Sequence, residues 1–339
     1  MISGGGGLAA LQMLFASRSG SSLAGAANAL DSTPKPTDLQ MVKRTSWALG
    51  SDVSMVVLHE RQDAAEKAIS AAFDELKRVD EIMSLYRPQS EVCRLNREGT
   101  LDHPHPCLVE ILRKAQAMSE RSGGAFDATV QPLWELYAAA KKAGKLPDAA
   151  AIEAARNKVD WRKVEVSPGQ IRLKGKGMAV TLNGIAQGYA ADRALLALRE
   201  HGIKQALANT GEVGALGRKE NGQPWTIGIQ HPRHADAYIA LAKLEDRCMA
   251  TSGDYATTFS SDHIYHHIFD PATGRSPEVF SSVSVIAPAG VDADALSTAV
   301  FVLGLEKGLP LVLSSPQAEA FFVLKDGKTL ATKGFPKAS

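Results

Sequence analysis

Between Ala293 and Leu303 the chain is apolar on nearly all sides. A helix with no polar face has to be buried, so this stretch belongs inside the molecule, covered by other elements. The rest of the sequence supplies them in alternation. Val53–His59 reads as a strand, and Ala65, Ile69, Ala72, Phe73, Leu76, Val79 and Met83 recur at three- and four-residue spacings that mark an amphipathic helix. That helix stops before Arg87-Pro88, because the residue before a proline disfavours the helical region. A second helix is expected over Leu108–Arg121, ending at Gly123-Gly124, and two short ones over Leu133–Lys142 and Ala149–Asn157. Strand-type runs follow at Val164–Val166, Ile171–Leu173 and Met178–Leu182, then a helix from Gly184 to His201 closed by Gly202. Ala206–Ala208, Trp225–Gln230, Tyr238–Leu244 and Val283–Ala287 complete the strand candidates. No repeat is present. Helices and strands interleave throughout, which predicts an α/β (α+β mixed) fold with mixed sheets flanked by helices.

The 339 residues allow one large domain or two ordinary ones. With 38 Lys+Arg against 37 Asp+Glu the formal charge is +1, which removes the electrostatic case for a nucleic-acid binder. Cys93, Cys107 and Cys248 are far apart with no CxxC pair, so neither a disulfide scaffold nor a zinc ribbon is expected. A Cys93–Cys107 bridge stays open for an oxidising compartment; buried or free thiols are the expectation.

Residues 1–29 read as an export-signal-like segment: an apolar run from Leu8 to Ala16, too short to span a bilayer, precedes the A-x-A triplet Ala27-Asn28-Ala29. No Lys or Arg precedes Arg18, and a charged, twin-Arg-type segment upstream of the first residue would account for that. A disordered Ala/Gly/Ser tail explains the same letters. The expected organisation is an exported, periplasmic chain with an extended leader over 30–44 and a domain over 45–339. No transmembrane span is expected in the mature chain.

Four polar, glycine-marked segments interrupt the regular patterns. In the first, Tyr86 and Arg87 stand at a helix-to-loop junction, where an aromatic face can stack a planar ligand and a guanidinium can meet a phosphate; on this segment alone a helix stop with a half-buried Tyr is the better reading. The second, Gly123 to Val130, offers Ala125, Phe126 and Asp127 as an apolar wall and an acceptor beside two permissive glycines. A glycine C-cap before a strand is the alternative. The third runs from Thr181 through Gly184 and Gln187 to Asp192 and enters a helix whose free N–H groups favour an anion. It matches neither GxGxxG nor a P-loop. The fourth joins Thr251-Ser252-Gly253-Asp254-Tyr255 to His266-His267-Ile268-Phe269-Asp270-Pro271 and to Asp292, Asp294 and Thr298. Asp294 and Thr298, four apart, share one helical face. A carboxylate and a hydroxyl on an apolar helix need compensation, and a hard cation such as Mg²⁺ provides it. A dipole-stabilised Asp and a backbone-bonded Thr are the alternative. No ligand set with zinc spacing surrounds His266 and His267.

In that order these segments resemble the ApbE family of FAD:protein FMN transferases. The likeness covers roughly Thr45 to the C-terminus. It rests on Leu49-Gly50-Ser51, Leu85-Tyr86-Arg87-Pro88, Gly124-Ala125-Phe126-Asp127, Gly184-Ile-Ala-Gln-Gly-Tyr-Ala, Ala250-Thr-Ser-Gly-Asp-Tyr, His267-Ile-Phe-Asp-Pro-Ala-Thr-Gly and Asp294-Ala-Leu-Ser-Thr298. The resemblance implies a flavin cleft that holds FAD at Leu49, Tyr86, Ala125, Phe126, Asp127, Thr181, Gln187 and Ile268. It implies Mg²⁺ at Asp294, Thr298 and the Gly184 carbonyl, with His267 and Asp254 serving the transfer. Three positions depart from the family's pattern: Thr181 stands where many members have Asp, Gln187 where they have Lys or Glu, and Leu49 where they often have Met. The Leu-Asn-Gly-Ile-Ala-Gln-Gly variant resembles members linked to nitrous oxide respiration.

The implied reaction moves FMN from FAD to a Thr hydroxyl of a membrane-associated respiratory flavoprotein and releases AMP. His267, with a reference pKa near neutrality, suits proton transfer to or from the reacting groups. Two other readings use the same residues: a pyrophosphatase that splits FAD into FMN and AMP with water, and a flavin-binding or delivery protein that performs no chemistry.

Overall fold

The computed structural model describes residues 39–338. The export-signal-like segment and the first part of the leader lie outside them. In chain order, β1 (Gln40–Ala48) and β2 (Ser51–His59) precede α1 (Gln62–Met83), α2 (Glu91–Glu98), β3 (Thr100–Asp102) and α3 (Pro106–Arg121). Then come α4 (Gln131–Lys142), α5 (Ala149–Arg156), β4 (Val164–Val166), β5 (Gln170–Leu173) and α6 (Ala186–Glu200). The second half runs β6 (Gln205–Asn209), β7 (Val213–Leu216), β8 (Trp225–His231), β9 (His234–Leu244), β10 (Cys248–Gly253) and β11 (Phe280–Ala287). It closes with α7 (Gly290–Leu313), β12 (Glu319–Leu324) and β13 (Thr329–Ala331).

Eight strands form the main sheet in the order β1-β2-β6-β7-β10-β11-β12-β13, with β3-β5-β4 and β8-β9 as smaller sheets. The α/β architecture is the expected one, but the ladders among the described residues are antiparallel throughout rather than mixed. Short connections such as β1–β2, β6–β7 and β8–β9 admit only antiparallel neighbours. Both faces of the main sheet are covered. Val53, Met55 and Val57 of β2 enter the large core beneath α1, α6 and α7, while Val56 and Leu58 enter a second core beneath β8 and β9. Double coverage explains why residues 55–58 of β2 read as an apolar run without alternation and why every residue of β11, its serines included, is buried.

Two expectations change. Residues 40–44, assigned to the leader, pair with β2 as the first half of β1. Met178–Leu182 joins no ladder. Its backbone is instead held by the Asn96 amide, which accepts from Val180 N at 2.7 Å and donates to Val180 O at 2.8 Å, and by Thr181 N donating to Ala128 O. The apolar stretch Ala293–Leu303 is the first part of α7, which is interrupted at Gly304 by a non-helical φ of 72°. By length and composition α7 could cross a bilayer. Here it is the central core helix, with Ala293, Leu296, Ala299, Val300 and Phe301 buried.

Candidate active site

The approach of α6 to α7 fixes the site. Gly188 and Gly290 meet backbone to backbone: a Cβ on Gly188 would lie 2.1 Å from the Gly290 carbonyl oxygen. The helices cap each other there, since neither has a side-chain cap from its own N-cap residue. Asp192 of α6 accepts from Gly290 N at 2.6 Å and Val291 N at 2.9 Å, and Asp294 of α7 accepts from Gly188 N at 2.9 Å. The N–H groups at the start of α6, which the sequence offers to an external anion, are therefore directed at the protein's own Asp294.

Above this crossing opens a cleft of about 740 Å³. It is lined by the expected Ala125, Phe126, Asp127, Thr181, Gly184, Gln187, His267, Ile268, Asp294 and Thr298. These come from the loop before α4, the segment before α6, the start of α6, the return from a long loop after β10, and α7. Gln187 packs its amide over Gly211, where φ is +99° and a Cβ would sit 2.2 Å from Gln187 Nε2. Only glycine fits that position.

Three expected residues lie outside the cleft. Leu49, at the β1–β2 turn with φ +54°, packs on the large core. Tyr86 is 72% exposed and faces an adjoining depression that shares Gln131, Trp134 and Asn183 with the cleft. Its neighbour Arg87 pairs with Asp80 at 2.5 Å, so that guanidinium has its partner within the protein. Asp254 is fully buried behind the cleft wall and ion-paired to Arg233 at 2.7 Å and Lys325 at 2.5 Å. Burial alone would raise its pKa, but these two partners hold it below the usual carboxylate range. Its carboxylate faces cations rather than the cleft.

Three carboxylates that line the cleft, Asp294, Glu212 and Asp127, behave differently. Burial lifts Asp294 to about 7. Glu212, beside it, is pushed well above its ordinary range by burial and then by the Asp294 charge, although Thr251 N donates to it at 3.0 Å. Asp127 is raised by burial; its oxygens accept from Thr129 N, Thr129 Oγ1 and Trp161 N, so it shapes its own loop. Two desolvated carboxylates on one wall create a need for positive charge. Thr298 Oγ1, 3.0 Å from Ser252 Oγ, lies next to Gly184, where an added Cβ would come within 3.0 Å of it. Among the described residues no three His, Cys, Asp or Glu side chains form a metal-holding group. A cation here would draw on one carboxylate, a hydroxyl, a carbonyl and substrate oxygens, the donor set of Mg²⁺.

His267 is half-buried and its pKa is lowered by burial. Its Nδ1 lies 3.2 Å from the Thr257 carbonyl, which also accepts from His267 N. Donation from Nδ1–H leaves Nε2 as the basic nitrogen. Glu212, Arg233 and Lys325 were not singled out by sequence; of the cluster around the buried Asp254 only that carboxylate was. The Glu212 signal was present, since Asn209-Thr-Gly-Glu212 is a glycine-marked polar run directly after an apolar strand. Nothing local marks Arg233 or Lys325. The three cysteines are free thiols, with Cys93 donating weakly to Ser84 O and Leu85 O.

Comparison with known proteins places this architecture. Residues 49–322 match the ApbE family. A FAD:protein FMN transferase of Treponema pallidum is 31% identical over 305 residues, covering 82% of this chain and 83% of that protein. One from Salmonella typhimurium is 31% identical over 266 residues and 75% of each chain. Among solved structures, the ApbE protein of Thermotoga maritima superposes with a TM-score of 0.78 at 31% identity, covering 87% of this chain and 97% of its own. The apo flavinyl transferase ApbE of Pseudomonas stutzeri gives 0.76 at 31% identity, over 87% and 95%. By sequence and by fold, the chain belongs to the ApbE family.

Proposed function

We propose that this protein is a FAD:protein FMN transferase that uses Mg²⁺ to move FMN from FAD onto a Thr hydroxyl of an acceptor flavoprotein, releasing AMP. The observation that carries the proposal is the convergence of Asp294, Thr298, Gly184 and His267 on one cleft of about 740 Å³, within the size range of cofactor pockets. Family membership supplies the reaction class.

Asp294, Thr298 and the Gly184 carbonyl would hold Mg²⁺, which would supply positive charge against the pyrophosphate. Phe126 and Ile268 supply apolar cleft wall to the flavin portion. His267, with Nδ1–H donated to Thr257, takes the acceptor hydroxyl proton at Nε2. The Thr oxygen bonds to the FMN phosphorus as the bond to the AMP oxygen breaks, and AMP leaves with the electron pair. Asp294 meanwhile keeps the start of α6 fixed through Gly188 N. We further propose that the protein acts after export to the periplasm, on a membrane-associated respiratory flavoprotein.

The test is an incubation of the full chain with FAD, with and without Mg²⁺ and a periplasmic membrane extract. AMP is quantified beside in-gel flavin fluorescence. Mg²⁺-dependent AMP together with a covalently fluorescent band is the expected result. AMP without a band in either arm would replace transfer by hydrolysis, and FAD retention without AMP would leave a carrier.

A further inference from the structure

The chain from Asp254 to His267 leaves the end of β10 and returns into the cleft. Its outgoing arm supplies Tyr255 and Ala256 to the cleft wall, and its returning arm supplies His267 and Ile268. The arms are tied by Phe259 N to Tyr265 O, by a bridge between Thr258 and His266, and by His267 N to Thr257 O. At the base, Asp254 N donates to Ser281 O at 3.0 Å. Arg233, from the β8–β9 turn, grips the Asp254 carboxylate with both terminal nitrogens at 2.7 Å and also reaches Ser281 Oγ. Lys325, just after β12, donates to Asp254 Oδ2 at 2.5 Å and to the His263 carbonyl at 2.7 Å. Lys325 thus joins the first residue of the loop to its far arm.

We propose that Arg233 and Lys325 are positioning residues: through Asp254 and His263 they clamp this loop so that the Thr257 carbonyl fixes the orientation and tautomer of His267. The inference rests on the transferase reading and deepens it. It also gives Asp254 a different part from that of a residue meeting substrate, because its carboxylate is spent on two cations in a place with no solvent exposure. A bidentate guanidinium locks a carboxylate in a plane as well as neutralising it, which a lysine cannot do. Of the cluster's charges it is that of Asp254 which reaches His267 and raises its pKa, whereas the Lys325 charge acts on His266. The other ionisable groups around the cleft that His267 lines are its neighbour His266, Tyr255 on the same loop, and Lys43, Asp52, Asp127, Glu212 and Asp294.

The test compares wild type with Lys325→Met, Lys325→Arg and Arg233→Lys, each as the full chain. AMP release from FAD with Mg²⁺ and membrane extract is followed from pH 5.5 to about 9, alongside FAD affinity by fluorescence. Lys325→Met is expected to lower kcat by about tenfold or more while KM for FAD stays within about twofold, since the loss falls on the transition state. Its acid limb should move to higher pH, because the Asp254 charge that raises the His267 pKa is then neutralised by one cation fewer. Lys325→Arg should recover most of the rate and the wild-type limb. Equal losses in Lys325→Met and Lys325→Arg with an unmoved limb, or wild-type kinetics in Lys325→Met and Arg233→Lys, would overturn the clamp. No AMP or band from the wild type would instead remove the transferase reading itself.

Discussion

His266 is fully buried against Phe301, and its neutral ring has both nitrogens placed. Nε2–H donates to Pro277 O at 3.1 Å, and Nδ1 accepts from Ile268 N at 3.4 Å. A proton on Nδ1 would set donor against donor in a dry site, and burial accordingly takes the pKa from 6.5 down to about 4. Between those values the unfolded chain binds a proton that the folded chain does not. Stability therefore falls as pH drops from about 6.5 towards 4 and levels off below. At pH 4.5 this one residue should cost about 2 kcal/mol relative to pH 7.5. Denaturant unfolding of wild type and His266→Gln at both pH values checks it: the variant starts lower but should lose less on acidification by about that amount. The residue pair His266-His267 was visible in the sequence, but the division of labour was not. Which histidine faces the core and which faces the cleft depends on the Phe301 and Thr257 that the fold brings to them.

The crossing of α6 and α7 is the element on which the site is built, and its tolerance is set by backbone rather than side chains. The atom a Cβ on Gly188 would meet first is a backbone carbonyl oxygen, which cannot swing aside. Gly188→Ala should destabilise the protein by about 2–4 kcal/mol despite the higher helix propensity of Ala. Gly169→Ala, where a Cβ meets nothing within 4 Å, should stay within about 0.5 kcal/mol of wild type. Chemical denaturation of the two variants decides the matter; equal stabilities would mean that the helices separate freely. Helices were the readable elements, because α1, α3 and α6 carry their period and stops in contiguous letters. The segment Met178–Leu182 was read as a strand from its apolar letters, yet its hydrogen-bond partner is the side chain of Asn96. A run of letters records burial, not which group satisfies the backbone.

For the molecule as a whole, the cleft lies between the large core under the main sheet and the small cluster of Leu133, Tyr137, Ile152, Phe259 and Phe269. A ligand in it touches both and should stabilise both. FAD with Mg²⁺ at a hundredfold excess over Kd should add about 2.7 kcal/mol to unfolding, read as a rise in Tm. Asp294→Asn keeps an acceptor for Gly188 N but removes the charge, so it should abolish the Mg²⁺-dependent part of that rise without unfolding the apo protein; an undiminished Mg²⁺ effect would exclude Asp294 as a ligand. The sequence by itself determined the interleaved α/β class, the buried helix, and the spacing that sets Asp294 and Thr298 on one face. These are local properties, recorded in periodicity and in short glycine-marked motifs. Tertiary structure alone decided that β1 begins within the leader, that Asp294 and Asp192 cap each other's helices, that Glu212 stands beside Asp294, and that Arg233 and Lys325 converge on Asp254. Each of those is a contact between residues distant in the chain. Its energy comes from desolvation and charge that exist only once the sheet and helices have closed around it.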